Sequence, residues 1–191
     1  MQYNPYINID HRFPIHYESY FDDQTLQNLE SHAKTFIPQF DSGYDKKGIQ
    51  EHKIDNTFRK IAKIQPVSKE FIPFLDSLSK LLTETNNIFQ FDVANIDFYY
   101  GEYLKHDSHL KWHKDTGLFP FNTRKISFTI NVNSPDEYKG GKLEFFFNKQ
   151  EYSISKGSIT FFPSFLLHRV TPVTNGLRKV IFGFIYGPPY K

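Results

Sequence analysis

Residues 157–184 read GSITFFPSFLLHRVTPVTNGLRKVIFGF, and the period of their apolar residues decides the fold. Ile159 and Phe161, then Val180, Phe182, Phe184 and, just beyond, Tyr186 recur at every second position. Side chains of a strand alternate between its two faces, so this spacing predicts strands. Thr174-Asn175-Gly176 between them is a turn-type cluster.

The same period runs upstream. From Ile88 it takes in Phe89, Phe91 and Val93, then Ile96, Phe98 and Tyr100. It returns at Ile126, Phe128, Ile130 and Val132, at Leu143, Phe145 and Phe147, and at Ile154. Ser134-Pro135-Asp136-Glu137, Lys139-Gly140-Gly141 and Ser155-Lys156-Gly157 punctuate these runs as turns.

Two helices are expected before them. The first follows Asp22-Asp23, sets Leu26, Leu29, His32 or Ala33, and Phe36 on one face, and stops before Pro38. The second begins at Ser68 as N-cap and runs through Phe71, Leu75, Leu78, Leu81 and Leu82 to Asn86-Asn87. Pro73 falls in its first turns, where proline is tolerated best. Residues 41–65 are polar and glycine-punctuated, which predicts a loop with one strand at its end. Short strands after a helical layer predict a mainly β fold with N-terminal helices. Its core is a double-stranded β-helix, or jelly roll, with the helices packed on one sheet. Neither a repeat nor a linker divides the chain. We therefore expect one domain over 1–191, with 1–87 a helical support layer and loops and 88–187 the jelly-roll core.

Composition narrows the chemistry. An aromatic share of 18%, with 21 Phe and 12 Tyr against a single Trp, suits the interior of a sandwich or barrel. The formal charge of +2 supplies no field for steering polyanions, so nucleic acid is not an expected partner. Cys is absent, so any metal is held by His, Asp, Glu or water. No basic start precedes an apolar run and no segment reaches the length of a membrane span, so a cytoplasmic location without a membrane partner is expected.

Within KWHKD (residues 111–115), a strand would direct His113 and Asp115 to one face and Trp112 and Lys114 to the other. A mononuclear non-haem Fe(II) site needs two imidazoles and one carboxylate on one octahedral face, leaving three positions open. The third ligand must then come from elsewhere in the chain. His168 is the single histidine after Asp115, 168 − 115 = 53 residues on. Two His and one Asp alone are a common coincidence; the case strengthens with Arg178, which follows His168 by 178 − 168 = 10 residues. On this reading His168 ends one strand and Arg178 opens its hairpin partner, both facing one cavity with the arginine deeper. A guanidinium there takes a carboxylate end-on through two charge-assisted hydrogen bonds.

HKD at 113–115, GGKLEF at 140–145 and the 157–184 run together resemble the Fe(II)/2-oxoglutarate dioxygenases of the prolyl-4-hydroxylase-like group, notably its bacterial Fe(II)-dependent hydroxylases. The likeness runs from about Asp97 to Ile185 and rests on the order and spacing of the motifs together. It implies Fe(II), 2-oxoglutarate and O2, with oxidative decarboxylation of 2-oxoglutarate coupled to hydroxylation of a substrate C–H bond. His113, Asp115 and His168 would hold the metal and perform catalysis, and Arg178 would pair with the far carboxylate of 2-oxoglutarate. A tyrosine on the preceding strand usually meets the same carboxylate. Tyr100 is the expected match, with Tyr99 and Tyr103 as alternatives because residues 104–111 read as an insertion. Thr129 or Asn131, of which Asn131 is preferred, would line the cosubstrate pocket, and Val170 would wall it.

The expected substrate is a prolyl or other residue in a peptide or protein, with a free amino acid or small metabolite second. Nucleic-acid dealkylating relatives usually carry another arginine six residues after the carboxylate-binding one; Phe184 stands there. Asp115 excludes the halogenases, which replace that carboxylate with a small residue. A zinc hydrolase using His106, His109 and His113 is disfavoured because HLKWH lacks a glutamate beside its first histidine. A non-catalytic jelly-roll binding module is the alternative from another class; loss of one of the three ligands would favour it, and none is lost. Residues 101–111, with Lys105, Lys111 and Lys114, are expected to form a substrate-selecting lid, and His11 and His16 to be structural or exposed.

Overall fold

A computed structural model of the chain describes residues 13–35, 43–44, 50–51, 59–64, 71–103, 108–118, 120–147, 152 and 155–190. In the N-terminal part β1 (Ile15–Tyr17) precedes helix α1 (Asp23–Ala33). The short strands β2 (Gly43–Tyr44) and β3 (Gln50–Glu51) pair with each other, and β4 (Arg59–Ile64) leads to helix α2 (Ile72–Phe89). Eight more strands follow: β5 (Asn95–Tyr103), β6 (Ser108–His113), β7 (Arg124–Asn131), β8 (Tyr138–Gly140), β9 (Leu143–Phe145), β10 (Ile159–Pro163), β11 (His168–Gly176) and β12 (Arg178–Tyr186).

Helix α1 starts where the sequence predicts. The Asp22 carboxylate accepts the Thr25 backbone N–H at 2.8 Å and satisfies an end group that has no partner within the helix. Leu26, Leu29 and Ala33 form its buried stripe, so Ala33 rather than His32 takes the core position, while the His32 ring lies against Phe71. Phe36, Pro38 and Ser68 lie outside the described residues.

Helix α2 corrects one expectation. It continues through Phe89, which is buried at helical spacing with Phe74, Leu78, Leu81 and Thr85. It closes on Gln90 in the left-handed conformation, with the Asn86 side chain bonding both the N–H and the carbonyl of Phe91. The period-two run therefore starts at β5, not at Ile88, because Phe89 serves the helical stripe.

Six strands form one antiparallel sheet in the order β1-β10-β7-β12-β5-β4. Its even-numbered apolar positions on β5, β7 and the start of the odd set on β10 and β12 share one face: Phe98, Ile126, Phe128, Ile130, Ile159, Phe161, Ile181 and Ile185 pack with Leu26 and Leu29 of α1 and Phe74, Leu78 and Leu81 of α2. Each such fully buried side chain contributes roughly 1.5–3 kcal/mol of transfer free energy. The second sheet sets β11 between β6 on one side and β8 and β9 on the other. This is the jelly-roll core with helices on one sheet, as the strand pattern predicts, and no closed barrel is formed. Residues before 88 supply more than helices and loops, since β1 and β4 extend the large sheet at its two edges.

Strands β11 and β12 are not hairpin partners, contrary to expectation. β11 belongs to the small sheet and β12 to the large one, and the chain passes between them at Gly176-Leu177. Gly176 has φ +74°, and a Cβ there would sit 2.0 Å from the Glu137 carbonyl oxygen. Among the described residues no helix is long and apolar enough to cross a membrane.

Candidate metal and cosubstrate site

His113 is the last residue of β6 and His168 the first of β11, and the two are register partners. Asp115 does not share a strand with His113, as KWHKD suggested; the strand has ended and the chain has turned. The turn is held by the Ser164 carbonyl, which accepts the N–H groups of Asp115 at 2.9 Å and Thr116 at 3.2 Å. Arg124 Nη1 donates to the Asp115 carbonyl at 3.2 Å.

Three donor groups converge there. His113 Nε2 lies 3.4 Å from Asp115 Oδ1, and His168 Nε2 lies 3.5 Å from Asp115 Oδ2. One ligand atom from each of the three residues falls within 4.8 Å of the others. Both imidazoles are oriented from behind: His113 Nδ1 meets the Lys111 carbonyl at 2.7 Å and His168 Nδ1 meets the Leu166 carbonyl at 2.9 Å. A carbonyl only accepts, so each Nδ1 carries the proton and each Nε2 presents its lone pair to the centre.

The electrostatics agree with a cation site. Burial holds the His168 imidazole below its ordinary value and so keeps it neutral. Burial alone would raise the Asp115 carboxyl. The nearby His168 and His113 and the Ser127 hydroxyl outweigh it and hold the group well below the usual carboxylate range. Two imidazole nitrogens and one carboxylate oxygen suit a divalent transition metal. His113 and Asp115 keep 18% and 11% side-chain exposure, so the cluster is open on one side.

Arg178, 2% exposed, opens β12 on the facing large sheet. Its guanidinium carbon lies 5.0 Å from the centre of the Tyr103 ring, its register partner on β5. Arg178 Nε and the Tyr138 hydroxyl are buried with no hydrogen-bond partner among the described residues. A buried cation without an anion is costly, and the donor chemistry fits a carboxylate. Gly141 makes room for this arginine, because a Cβ there would come 2.5 Å from Arg178 Cδ. Val170 packs with Tyr103, Tyr138, Val173 and Val180 between the sheets. Asn131 and Thr129 pair with Val180 and Phe182 of β12 and present their side chains to this same inner face.

Tyr100 is on the wrong side of the sheet. Its hydroxyl donates to Glu30 Oε1 at 3.2 Å and Glu102 Oε1 at 3.0 Å, under helix α1. Burial and then the two carboxylates push that hydroxyl up. Strand parity leaves Tyr99 and Tyr103 on the cavity face. Tyr99 stacks on Phe182 with ring centres 5.3 Å apart, whereas Tyr103 is the one beside Arg178.

The expected lid is likewise revised. Gly101–Tyr103 ends β5 of the large sheet and Ser108–Lys111 lies in β6, and residues 104–107, with Lys105 and His106, lie outside the described residues. Lys111 and Lys114 are exposed. His16 Nδ1 bonds Thr160 Oγ1 at 2.9 Å on the edge strand, a structural role, and His11 lies outside the described residues.

Sequence reasoning missed Ser127, whose Oγ donates to Asp115 Oδ2 at 2.7 Å, and Ser164, which lies 2.9 Å from Ser127 Oγ. The period of β7 offered a signal for Ser127, since it shares parity with Thr129 and Asn131. It also missed Arg124, whose guanidinium carbon stacks 3.7 Å over the Phe184 ring.

Two imidazoles and a carboxylate at the open side of a jelly roll match the donor set of a mononuclear non-haem metal centre. Comparison with known proteins agrees. Residues 98–186 match the family model of the 2OG-Fe(II) oxygenase superfamily. A PKHD-type hydroxylase of Rippkaea orientalis is 41% identical over 78 residues, covering 38% of this chain and 35% of the relative. One of Hyphomonas neptunium is 44% identical over 62 residues, covering 31% and 28%. The chain thus spans about a third of the length of the curated relatives it matches. Over the whole fold it is similar to a Pseudomonas putida prolyl-4-hydroxylase, with TM-score 0.68, 15% identity and 92% of each chain covered. A viral collagen prolyl hydroxylase from Paramecium bursaria chlorella virus-1 gives TM-score 0.65, 18% identity, and 94% and 98% coverage. Residues 98–186 of this chain are thus similar to the 2OG-Fe(II) oxygenase superfamily, on a fold like that of the prolyl hydroxylases.

Proposed function

We propose that the chain is an Fe(II)- and 2-oxoglutarate-dependent dioxygenase that hydroxylates a C–H bond, with a prolyl or other residue of a peptide or protein as substrate. The observation that carries this reading is the presence of two half-sites on the two facing sheets. One is the His113–Asp115–His168 cluster, open on one side, and the other is a buried, incompletely partnered Arg178. His113, Asp115 and His168 would hold the iron. Arg178, with Tyr103 beside it, would receive the far carboxylate of 2-oxoglutarate, and Asn131 and Val170 would line the pocket. Bound there, iron with 2-oxoglutarate and O2 supplies oxidative decarboxylation coupled to hydroxylation.

The chain's own contribution is placement. The carbonyls of Lys111 and Leu166 fix the two imidazole tautomers, and Phe145 and Phe162 pack against the His168 ring and keep water from that side. Tyr99, Phe182 and Phe184 form an aromatic wall at the mouth, with the Arg124 guanidinium stacked on Phe184. Such a wall suits a ring or peptide segment, and prolyl hydroxylases stand among the proteins of similar fold.

Mass spectrometry of a panel of proline-containing peptides and free amino acids, incubated with protein, Fe(II) and 2-oxoglutarate, tests the substrate. A gain of one oxygen on a peptide supports the reading; a gain on free amino acids alone moves the substrate to the small-molecule class.

A further inference from the structure

Two buried serines stand behind Asp115, and the ligand set does not use them. Ser127 is 2% exposed and Ser164 is fully buried. Ser127 Oγ is 2.7 Å from Asp115 Oδ2 and 2.9 Å from Ser164 Oγ. An ionised carboxylate only accepts, so the Ser127 proton points at Asp115. The Ser127 oxygen then accepts from the Ser164 hydroxyl, and the direction of the chain is fixed.

We propose that Ser164 and Ser127 form a two-hydroxyl relay that orients the Asp115 carboxylate and thereby sets the strength and geometry of the metal centre. This rests on reading His113, Asp115 and His168 as metal ligands. Both serines are positioning residues. Asp115 needs such support because β6 has already ended at His113 and no strand fixes its side chain. The relay ties the carboxylate to β7 of the large sheet through Ser127. Through Ser164 it ties it to the turn that leads into His168. The Ser164 main chain is fixed in turn: its N–H donates to the Lys125 carbonyl at 2.9 Å and its carbonyl takes the N–H of Asp115. The carboxylate and the second imidazole are thus referred to one turn. Ser127 engages Oδ2, which leaves Oδ1, on the His113 side, with its lone pairs uncommitted to a hydroxyl.

Co(II) titration of the full chain, followed by visible absorption, tests the relay without turnover. The variants are Ser127→Ala, Ser127→Thr, Ser164→Ala, the double Ser127→Ala/Ser164→Ala, and His168→Ala as reference. Ser127→Ala is expected to weaken Co(II) about 10- to 100-fold, the usual effect of removing a partner of a metal ligand, and to change the visible bands. Ser127→Thr keeps the hydroxyl and restores both. The double variant falls no further than Ser127→Ala, because Ser164 acts through Ser127. Wild-type affinity and bands in Ser127→Ala overturn the relay, as does a Ser127→Thr variant as weak as Ser127→Ala. Should Ser127→Ala fail to fold, Ser164→Ala decides by the same bands, and an unchanged spectrum overturns the proposal. Bands lost in His168→Ala yet intact in Ser127→Ala remove the relay alone. A wild-type protein with no His168-dependent bands removes the metal reading and the relay with it.

Discussion

His113 and His168 face each other as register partners on β6 and β11, ring centres 4.3 Å apart, each with Nδ1 bonded to the carbonyl two residues before it. The same local device is used at the end of one strand and the start of another. It points both Nε2 atoms to one place. A metal site with this backing is preorganised, so loss of one ring removes a ligand and leaves the other in position.

His168→Ala should abolish tight binding of a divalent metal while the fold survives, since the ring sits beside Phe145 and Phe162 in a small cluster apart from the large core. Isothermal titration with Fe(II) under nitrogen and circular dichroism of the same sample check this. Unchanged iron affinity would move the third ligand elsewhere.

Tyr100→Phe and Tyr103→Phe should separate by face. Tyr100→Phe should keep wild-type affinity for 2-oxoglutarate and cost about 1 kcal/mol of stability, because its hydroxyl serves Glu30 and Glu102. Tyr103→Phe, beside Arg178, should weaken 2-oxoglutarate with little effect on iron. Fluorescence or calorimetric binding of the cosubstrate, with thermal melts, resolves the pair.

Much of the fold was legible because one sheet face is largely apolar. Ile126, Phe128, Ile130, Ile181 and Ile185 all serve the helix side, and their parity assigns Ser127, Thr129 and Asn131 to the cavity. Tyr100 shows the limit of pattern reading without an anchor. Among three tyrosines within five residues, parity separates only Tyr100 from Tyr99 and Tyr103, and only pairing with β12 says that Arg178 faces Tyr103. The end of α2 was misread because Phe89 satisfies both a period of two with Phe91 and a helical step from Thr85. The β11–β12 crossing between sheets left no mark in the sequence, since a Thr-Asn-Gly turn looks the same whether it closes a hairpin or bridges two layers. Ser164 could not be found at all, because its role depends on a contact with residues 37 positions away.

Gly141→Ala should reduce 2-oxoglutarate affinity as Arg178→Ala does. Gly141 has φ +63°, and an added Cβ would fall 2.5 Å from Arg178 Cδ and 3.0 Å from Val173 Cγ2. Displacing a charge-assisted pair costs about 1.5–3 kcal/mol, roughly a 10- to 100-fold change in Kd. Gly117→Ala, with open space around its Cβ, should bind as wild type and is the control.

Acid should weaken the metal-free protein through His168. Burial lowers its pKa from 6.5 in the folded state, so the unfolded chain binds the proton first. Stability is therefore full above 6.5 and falls as pH drops through that value toward the lower folded one. Asp115, also lowered, acts in the same direction at more acid pH, and His16, lowered by burial, acts with the same sign. Melting temperature against pH should show a gentler slope below 6.5 in His168→Asn than in wild type; parallel curves would mean that His168 is not the group responsible.

The most direct test of the metal and cosubstrate reading is anaerobic addition of Fe(II) and then 2-oxoglutarate, watched by visible absorption. We expect a metal-to-ligand charge-transfer band that needs both additions, vanishes in His168→Ala and requires far more 2-oxoglutarate in Arg178→Ala. No band in the wild-type protein at saturating Fe(II) and 2-oxoglutarate would contradict the account.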